Sequence, residues 1–529
     1  MATIRMRQRL ALCCAALLAV AVSGLAARSA LAPPPTRFAL LQPELARALT
    51  PAGAAELAAA ADFPLYELDA RLEPGGRLDG HVRLTLVNRT GQELRELAFH
   101  LFANGANFHG AAIIVTAATV AGLPTAVDRL TSDRLGLFLP LARPLAAGAR
   151  TGVTLDYHLT VSERGGFHGL LSHQEGVWCL YSWYPEPAVF RHGAWELHPV
   201  SDKGDVTQNE SLHLLAHVTI PAGTQALSGG SVIATRAAAG GTRVTIASPF
   251  TRNLALVVGN DYLLKTRTVG ATTVRSWWRG EDAAGAGHAL DVASAALGLF
   301  SARFGPYPYA ELDVVEVPLG EDVGGMESTG LVLMDRRPYE AVRYDPDASA
   351  ASLPMLMLIV ATAHEVGHQW WYNLVGSDSF SAPWLDESLT NWSADYCLEQ
   401  TQDALAAQGA ATMCVMESSM EGRQHLALDL DVNRYDDTHY GAVVYGRGAL
   451  LYQALRRRVG EARFFAFLRG YLAAHRFGYV ERADWEASLR GAVGDAVADD
   501  LERVWVRGEG LDTRAVMQAA VPMGADIRP

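Results

Sequence analysis

The chain has 529 residues, 50% hydrophobic and 19% charged, enough apolar material for a large core divided among more than one domain. The formal net charge is −13 and no cluster of Lys and Arg stands against it, which excludes the basic footprint of a nucleic-acid binder. No internal repeat or low-complexity tract is present.

A targeting segment comes first. Arg5, Arg7 and Arg9 precede an apolar stretch from Leu10 to Ala27, and Arg28-Ser29-Ala30-Leu31-Ala32 follows. A basic start, an apolar middle and an A-x-A end predict a secretory signal over residues 1–32, and with it export to the periplasmic or extracellular side. Pro33 directly after Ala32 disfavours cleavage there, and the apolar stretch is long enough for a marginal membrane anchor. A cleaved signal and an anchor facing outside the cytoplasm therefore both stand as expectations. Cys13 and Cys14 lie in this segment, and Cys179, Cys397 and Cys414 permit one disulfide or none.

Residues 33–62, with Pro33-Pro34-Pro35 and an Ala-rich stretch, read as a spacer carrying one or two short helices. From Leu65 the apolar period becomes two. Tyr66, Leu68, Ala70 and Leu72 alternate with Glu67, Asp69 and Arg71, and Val153, Leu155, Tyr157, Leu159 and Val161 repeat the pattern. This predicts a β domain over residues 63–265, an antiparallel sandwich or saddle-shaped sheet. His213 and His217 fall within it, four apart. The alternation of Leu212, Leu214, Ala216, Val218 and Ile220 puts them on a strand, too far apart to share an ion and facing solvent.

Residues 266–529 change character. Helical signals run from Ala283 to Phe304, a strand follows at Leu312–Val317, and Gly324-Gly325 marks a turn. The almost purely apolar run Leu353–Ala361 opens a buried helix placed at residues 352–374. His364, Glu365 and His368 stand on it as H-E-x-x-H, and Glu387 follows after eighteen intervening residues, opening the next helix. Further helices run from about Gly446 to the end.

An H-E-x-x-H arises by chance about 0.03 times in a chain of this composition. Residues four apart share a helix face, so the two imidazoles can grip one divalent ion. Glu387 offers a third ligand and leaves a fourth position for water, which is the arrangement of a catalytic zinc site with one ion. A divalent ion acidifies its water and polarises a carbonyl. Glu365, between the two histidines, is placed to take a proton from that water and return it to a leaving amine. Metal-assisted hydrolysis, of a peptide bond, is the reaction these roles predict.

Three stretches then resemble the aminopeptidase N family of zinc metallopeptidases, gluzincins that also include leukotriene hydrolase. Gly324-Gly325-Met326-Glu327-Ser328 resembles the family's G-x-M-E-N exopeptidase motif. His364 through Trp371 resembles its H-E-x-x-H-Q-W, and Tyr445-Gly446-Arg447-Gly448-Ala449 resembles its Y-x-K-G-A segment. The resemblance implies a β domain followed by an α+β thermolysin-like catalytic domain. It implies that Gly324, Gly325, Met326 and Glu327 line the substrate, with Glu327 holding a free α-amine and the backbone pairing with the peptide as an edge strand. It also implies that Tyr445 donates to the oxyanion. Ser328, Ser388 and Arg447 depart from the usual Asn, Gly and Lys. The C-terminal helical cap domain of many members is expected to be absent. The reading that results is an exported zinc aminopeptidase acting on peptides with a free N-terminus, with membrane association possible through the N-terminal segment. The alternatives are a thermolysin-like endopeptidase and a noncatalytic peptide-binding scaffold.

Overall fold

The alternating run at Leu65 becomes the strand Leu65–Leu72, whose even side chains Tyr66, Leu68, Ala70 and Leu72 are buried while Asp69 is exposed. It pairs antiparallel with Arg77–Val87, setting Tyr66 opposite Leu84 and Leu68 opposite Val82, so one face of the pair is continuously apolar. These strands sit near the middle of an eight-stranded sheet. Its order is Ser231–Ala238, Gly241–Thr251, Leu212–Pro221, Leu65–Leu72, Arg77–Val87, Arg150–Thr160, Ala112–Val120 and Leu123–Thr125. Every pairing is antiparallel except Leu65–Leu72 with Leu212–Pro221, which is parallel. Smaller sheets of three and four strands supply the opposing layer, and Trp183, Leu139, Leu155 and Leu256 share the core between them.

The computed structural model describes residues 36–163, 165–320, 323–345, 352–401 and 426–520. The signal or anchor expected over residues 1–32 and Cys414 lie outside the described residues. Cys179 and Cys397 are both buried and free. By contacts the chain divides into Met1–Leu41 and a single larger unit, Gln42–Pro529.

Strand placement overturns one expectation. His213 does not face solvent. It is fully buried, its Nε2 donating to the carbonyl of Ala60 at 2.9 Å and its ring lying 5.0 Å from that of Phe250 and 5.6 Å from that of Phe63. Leu212–Pro221 is an interior strand covered on both faces at this end, so alternation no longer marks a wet side. His217 is half-buried, its Nδ1 3.0 Å from the Thr245 hydroxyl.

The same β region buries Glu186, 1% exposed, which accepts from the Asn209 side-chain amide. Burial pushes its carboxyl from an ordinary 4.5 up to about 8. The native state thus holds a proton that the unfolded chain has released above about pH 4.5. Its contribution is complete below that pH and is lost as pH rises through about 8. Glu186→Gln removes this slope. Urea unfolding at pH 5 and pH 9 is expected to show the variant gaining roughly 3–5 kcal/mol on the parent between the two pH values. Parallel profiles would refute the assignment.

A five-stranded sheet opens the remaining fold, in the order Leu263–Val269, Thr272–Trp278, Glu311–Val317, Leu331–Asp335 and Gly325–Ser328. Residue 265, where the sequence reading ends the β region, lies in its first strand. The helix Ala283–Arg303 packs on this sheet and against Leu353–Gly367. Gly325–Ser328 is the outer strand, pairing among the described residues only with Leu331–Asp335 and setting Glu327 opposite Val332. Helices then follow from Glu387–Thr401 to Thr513–Ala520.

Candidate active site

The apolar run forms the helix Leu353–Gly367, with Pro354 in its first turn, where a missing N–H costs nothing. It is shorter than the 352–374 read from sequence. Its last residue is Gly367, and His368 occupies the C-cap position. Beyond, Tyr372 adopts a φ of 113° and its N–H donates to the Val375 carbonyl, turning the chain back. The side chains here point elsewhere. Gln369 donates to the Ser328 carbonyl at 3.0 Å and accepts from the Gly330 N–H at 2.9 Å, so the residue after the metal motif clamps the hairpin that carries Glu327.

One more turn of helix still separates His364 from His368, and both point the same way. Their Nε2 atoms are 3.0 Å apart, and Glu387 Oε2 lies 3.1 Å from the first and 3.4 Å from the second. Metal–ligand bonds of about 2.0–2.1 Å in tetrahedral geometry separate ligand atoms by roughly 3.3 Å. The three donors therefore already sit at the corners of such a site, and a zinc ion fits them. His368 donates from Nδ1 to the Trp371 carbonyl at 3.0 Å, which fixes the tautomer that leaves Nε2 a lone pair. Burial alone would raise the Glu387 carboxyl, but its bonds to His364 and His368 outweigh that and hold it below the usual range. Asp386, next to it, accepts from Ser377 and Ser379, both at 3.1 Å, and anchors the helix start.

Glu365 is 6% exposed, and its Oε2 has no hydrogen-bond partner among the described residues. Burial pushes its carboxyl up. The edge strand passes directly over it: a Cβ on Gly325 would come 2.6 Å from Glu365 Cγ, so only glycine allows this approach. Glu327 is 2% exposed, and its Oε1 is likewise unpartnered among the described residues. Burial pushes the Glu327 carboxyl up to about 8 against the pull of His368, with the charge of Glu365 adding to the rise.

Tyr445 reaches the site from a wide turn. Gly441–Arg447 is a π-helix and the α-helix proper begins at Gly448, a form the sequence reading, which starts a helix near Gly446, does not anticipate. Ser388 donates to the Val444 carbonyl at 2.6 Å and Asn391 to that of Tyr445 at 3.2 Å. A Cβ on Gly448 would lie 1.9 Å from the Ser388 hydroxyl, so Gly448 makes room for the serine that replaces the usual glycine. The phenol donates to Glu387 Oε1 at 2.6 Å, and its ring lies 5.7 Å from that of His364. The other departures are also accommodated. Ser328 donates to Asn253 Oδ1 at 2.7 Å, and Arg447, 1% exposed, donates to the Leu426 carbonyl.

All nine residues singled out in the sequence (Gly324, Gly325, Met326, Glu327, His364, Glu365, His368, Glu387 and Tyr445) line one cavity of about 720 Å³. Sequence reasoning missed Asp205. It lines the same cavity from a loop of the β region, and burial together with the charges of Glu327 and Glu387 raises its carboxyl. Nothing in its local sequence, Asp202-Lys203-Gly204-Asp205, distinguishes it from an ordinary polar turn.

Residues 288–507 match the Peptidase family M1 domain. Aminopeptidase M1-B of Oryza sativa subsp. japonica is 29% identical over 266 residues, covering 49% of this chain and 29% of its own length. Aminopeptidase M1 of Arabidopsis thaliana is 28% identical over the same shares. The chain thus spans under a third of the length of these relatives. Among solved structures, the M1 zinc metallopeptidase from Deinococcus radiodurans superposes with a TM-score of 0.63 at 22% identity, over 85% of this chain and 95% of that one. A mutant described as a two-domain M1 zinc metallopeptidase, bound to L-arginine, gives 0.62 over the same shares. That level of identity speaks for the fold, an N-terminal β domain followed by an α+β thermolysin-like domain. Taken with the named relatives, the match over residues 288–507 supports an aminopeptidase N-like, M1-type zinc metallopeptidase domain in this chain.

Proposed function

We propose that this protein is an exported, zinc-dependent aminopeptidase that removes N-terminal residues from peptides, with one catalytic ion. The observation that carries the reading is Glu327. A buried carboxylate with an unpartnered oxygen, on an unpaired sheet edge beside the His364–His368–Glu387 donors, needs a cation to neutralise it. A peptide's α-ammonium supplies that charge and measures the substrate from its end. Gly324, Gly325 and Met326 offer backbone groups to the substrate chain. A solved neighbour bound to a Tyr-ser-ala substrate supports a small-peptide ligand in this fold. The segment Arg5–Ala32 supports export, with cleavage and anchoring both consistent with its sequence.

His364, His368 and Glu387 would hold zinc, which supplies Lewis acidity toward the scissile carbonyl and acidifies water. Glu365 takes the proton from the attacking water; its raised affinity for protons suits a base that must then hand the proton to the departing amine. Tyr445 turns its O–H from Glu387 Oε1 to the carbonyl oxygen as negative charge grows there.

Amino-acyl anilides compared with their N-acetylated forms test the reading. The free-amine substrates are expected to be cleaved and the blocked ones not, and Glu327→Gln is expected to lower kcat/KM on free amines by roughly 10–150-fold, the worth of a charge-assisted hydrogen bond. Equal rates on both substrate classes would remove the amine-anchoring role and point to an endopeptidase. No hydrolysis by zinc-loaded protein would point to a scaffold.

A further inference from the structure

Glu196, His198 and Asp378 form a second cluster of metal-type donors, built from parts the active site does not use. Glu196 ends the strand Ala194–Glu196, His198 follows two residues later, and Asp378 comes directly after the short strand Gly376–Ser377. One donor atom from each lies within 4.8 Å of the other two. The cluster thus joins the β region to the loop that leads, through Asp386, into Glu387.

Several features set it apart from an ordinary surface ion pair. Glu196 Oε2 and His198 Nε2 are shut off from solvent without an aligned hydrogen-bond partner among the described residues. His198 Nε2 is 3.2 Å from Asp378 Oδ2, an ion-pair contact that raises the imidazole's affinity for protons, lowers that of the carboxyl, and holds the two donor atoms close enough to share an ion. The ring is held from behind: it stacks on Phe380 with centroids 4.6 Å apart and planes at 6°. Asp378 is held as firmly, because its Oδ1 accepts from the N–H groups of Phe380 at 2.9 Å and Ser381 at 3.0 Å, which leaves Oδ2 to face the histidine. His100 is fully buried nearby, and the charges of His198 and Asp378 reach it.

Two half-buried carboxylates and one imidazole leave excess negative charge. Burial and the charge of Asp378 push the Glu196 carboxyl up, which is what such a site does when a proton must stand in for a cation. The side chains of His198 and Asp378 remain 26% and 14% exposed, so the cluster lies near the surface although its facing donor atoms are covered. The surrounding charges are Arg191, Glu481 and Asp431. Arg191 is engaged by Glu481 at 3.4 Å and by the Tyr479 carbonyl at 3.1 Å, and its charge, with that of His198, only partly offsets the rise at Glu196.

We propose that Glu196, His198 and Asp378 bind a second divalent transition-metal ion, zinc or a chemically similar one, which clasps the β region to the loop preceding Glu387. The donor set of one imidazole and two carboxylates suits such ions. The proposal is independent of the peptidase reading, because its readout is bound metal.

Chelator-stripped protein is reloaded with zinc chloride, desalted and analysed for metal. Two equivalents per chain are expected in the parent, one in the His198→Gln/Asp378→Asn variant and one in His364→Gln. In the His364→Gln background, added zinc is also expected to raise Tm, since an ion that binds only the folded state stabilises it. That second arm decides the matter even if the double variant fails to fold. One equivalent in the parent that His364→Gln abolishes, or no Tm response in that background, would overturn the second site. Retention of two equivalents by the His198→Gln/Asp378→Asn variant would overturn its ligands.

Discussion

Glu365→Gln is expected to lower kcat on amino-acyl substrates by roughly 10²–10⁴-fold with KM changed little, the range for loss of a positioned general base. The physical reason lies in the contacts this carboxylate lacks. One oxygen is buried without a partner among the described residues, and the edge strand at Gly325 closes over the side chain so tightly that no Cβ fits. Such a group suits the proposed role of taking a proton that arrives with the reaction. The amide is nearly the same size, so the fold and the His364, His368 and Glu387 donors should survive. Metal analysis of the variant should therefore match the parent. A variant that retains activity within a few-fold would remove Glu365 from the mechanism, and one that loses its metal would recast it as structural.

Tyr445→Phe is expected to lower kcat by roughly 10²–10³-fold, the cost of deleting one preorganised donor to a developing oxyanion. Deletion of the hydroxyl also takes away the 2.6 Å bond to Glu387 Oε1, so two effects must be separated. The ring itself, placed by the π-turn and lying 5.7 Å from the His364 ring, is unchanged in the variant. Loss of the Glu387 bond would show as weaker zinc retention under chelator. Loss of the oxyanion donor would show in kcat at saturating zinc. A full rate at saturating zinc would leave Tyr445 as a brace for Glu387.

Both predictions rest on a register visible in one dimension. H-E-x-x-H needs only helical spacing to bring two ring nitrogens together, and the apolar run before it supplies the helix. The alternation from Leu65 onward likewise determined the β region, because period two leaves little choice of which side chains are buried. Even the end of the helix bears on this: it stops at Gly367 rather than 374, yet His368 at the C-cap still meets His364, since the cap residue keeps the helical turn.

Other features depended on partners distant in the chain. His213 is buried because Ala60, Phe63 and Phe250 close over an interior strand, and no local pattern announces that cover. Asp205 enters the cavity only because the β region folds against the catalytic elements. The π-turn that aims Tyr445 exists because Ser388 and Asn391 take carbonyls from a helix more than fifty residues later. The cluster at Glu196, His198 and Asp378 joins residues about 180 apart, a separation at which spacing carries no information. The sequence by itself determined which His and Glu residues share the end of one helix and the next, and the alternation of the β region, since those follow from local geometry. Tertiary structure alone decided burial, the unpartnered oxygens and the second cluster, because each depends on which surfaces the folded chain brings together.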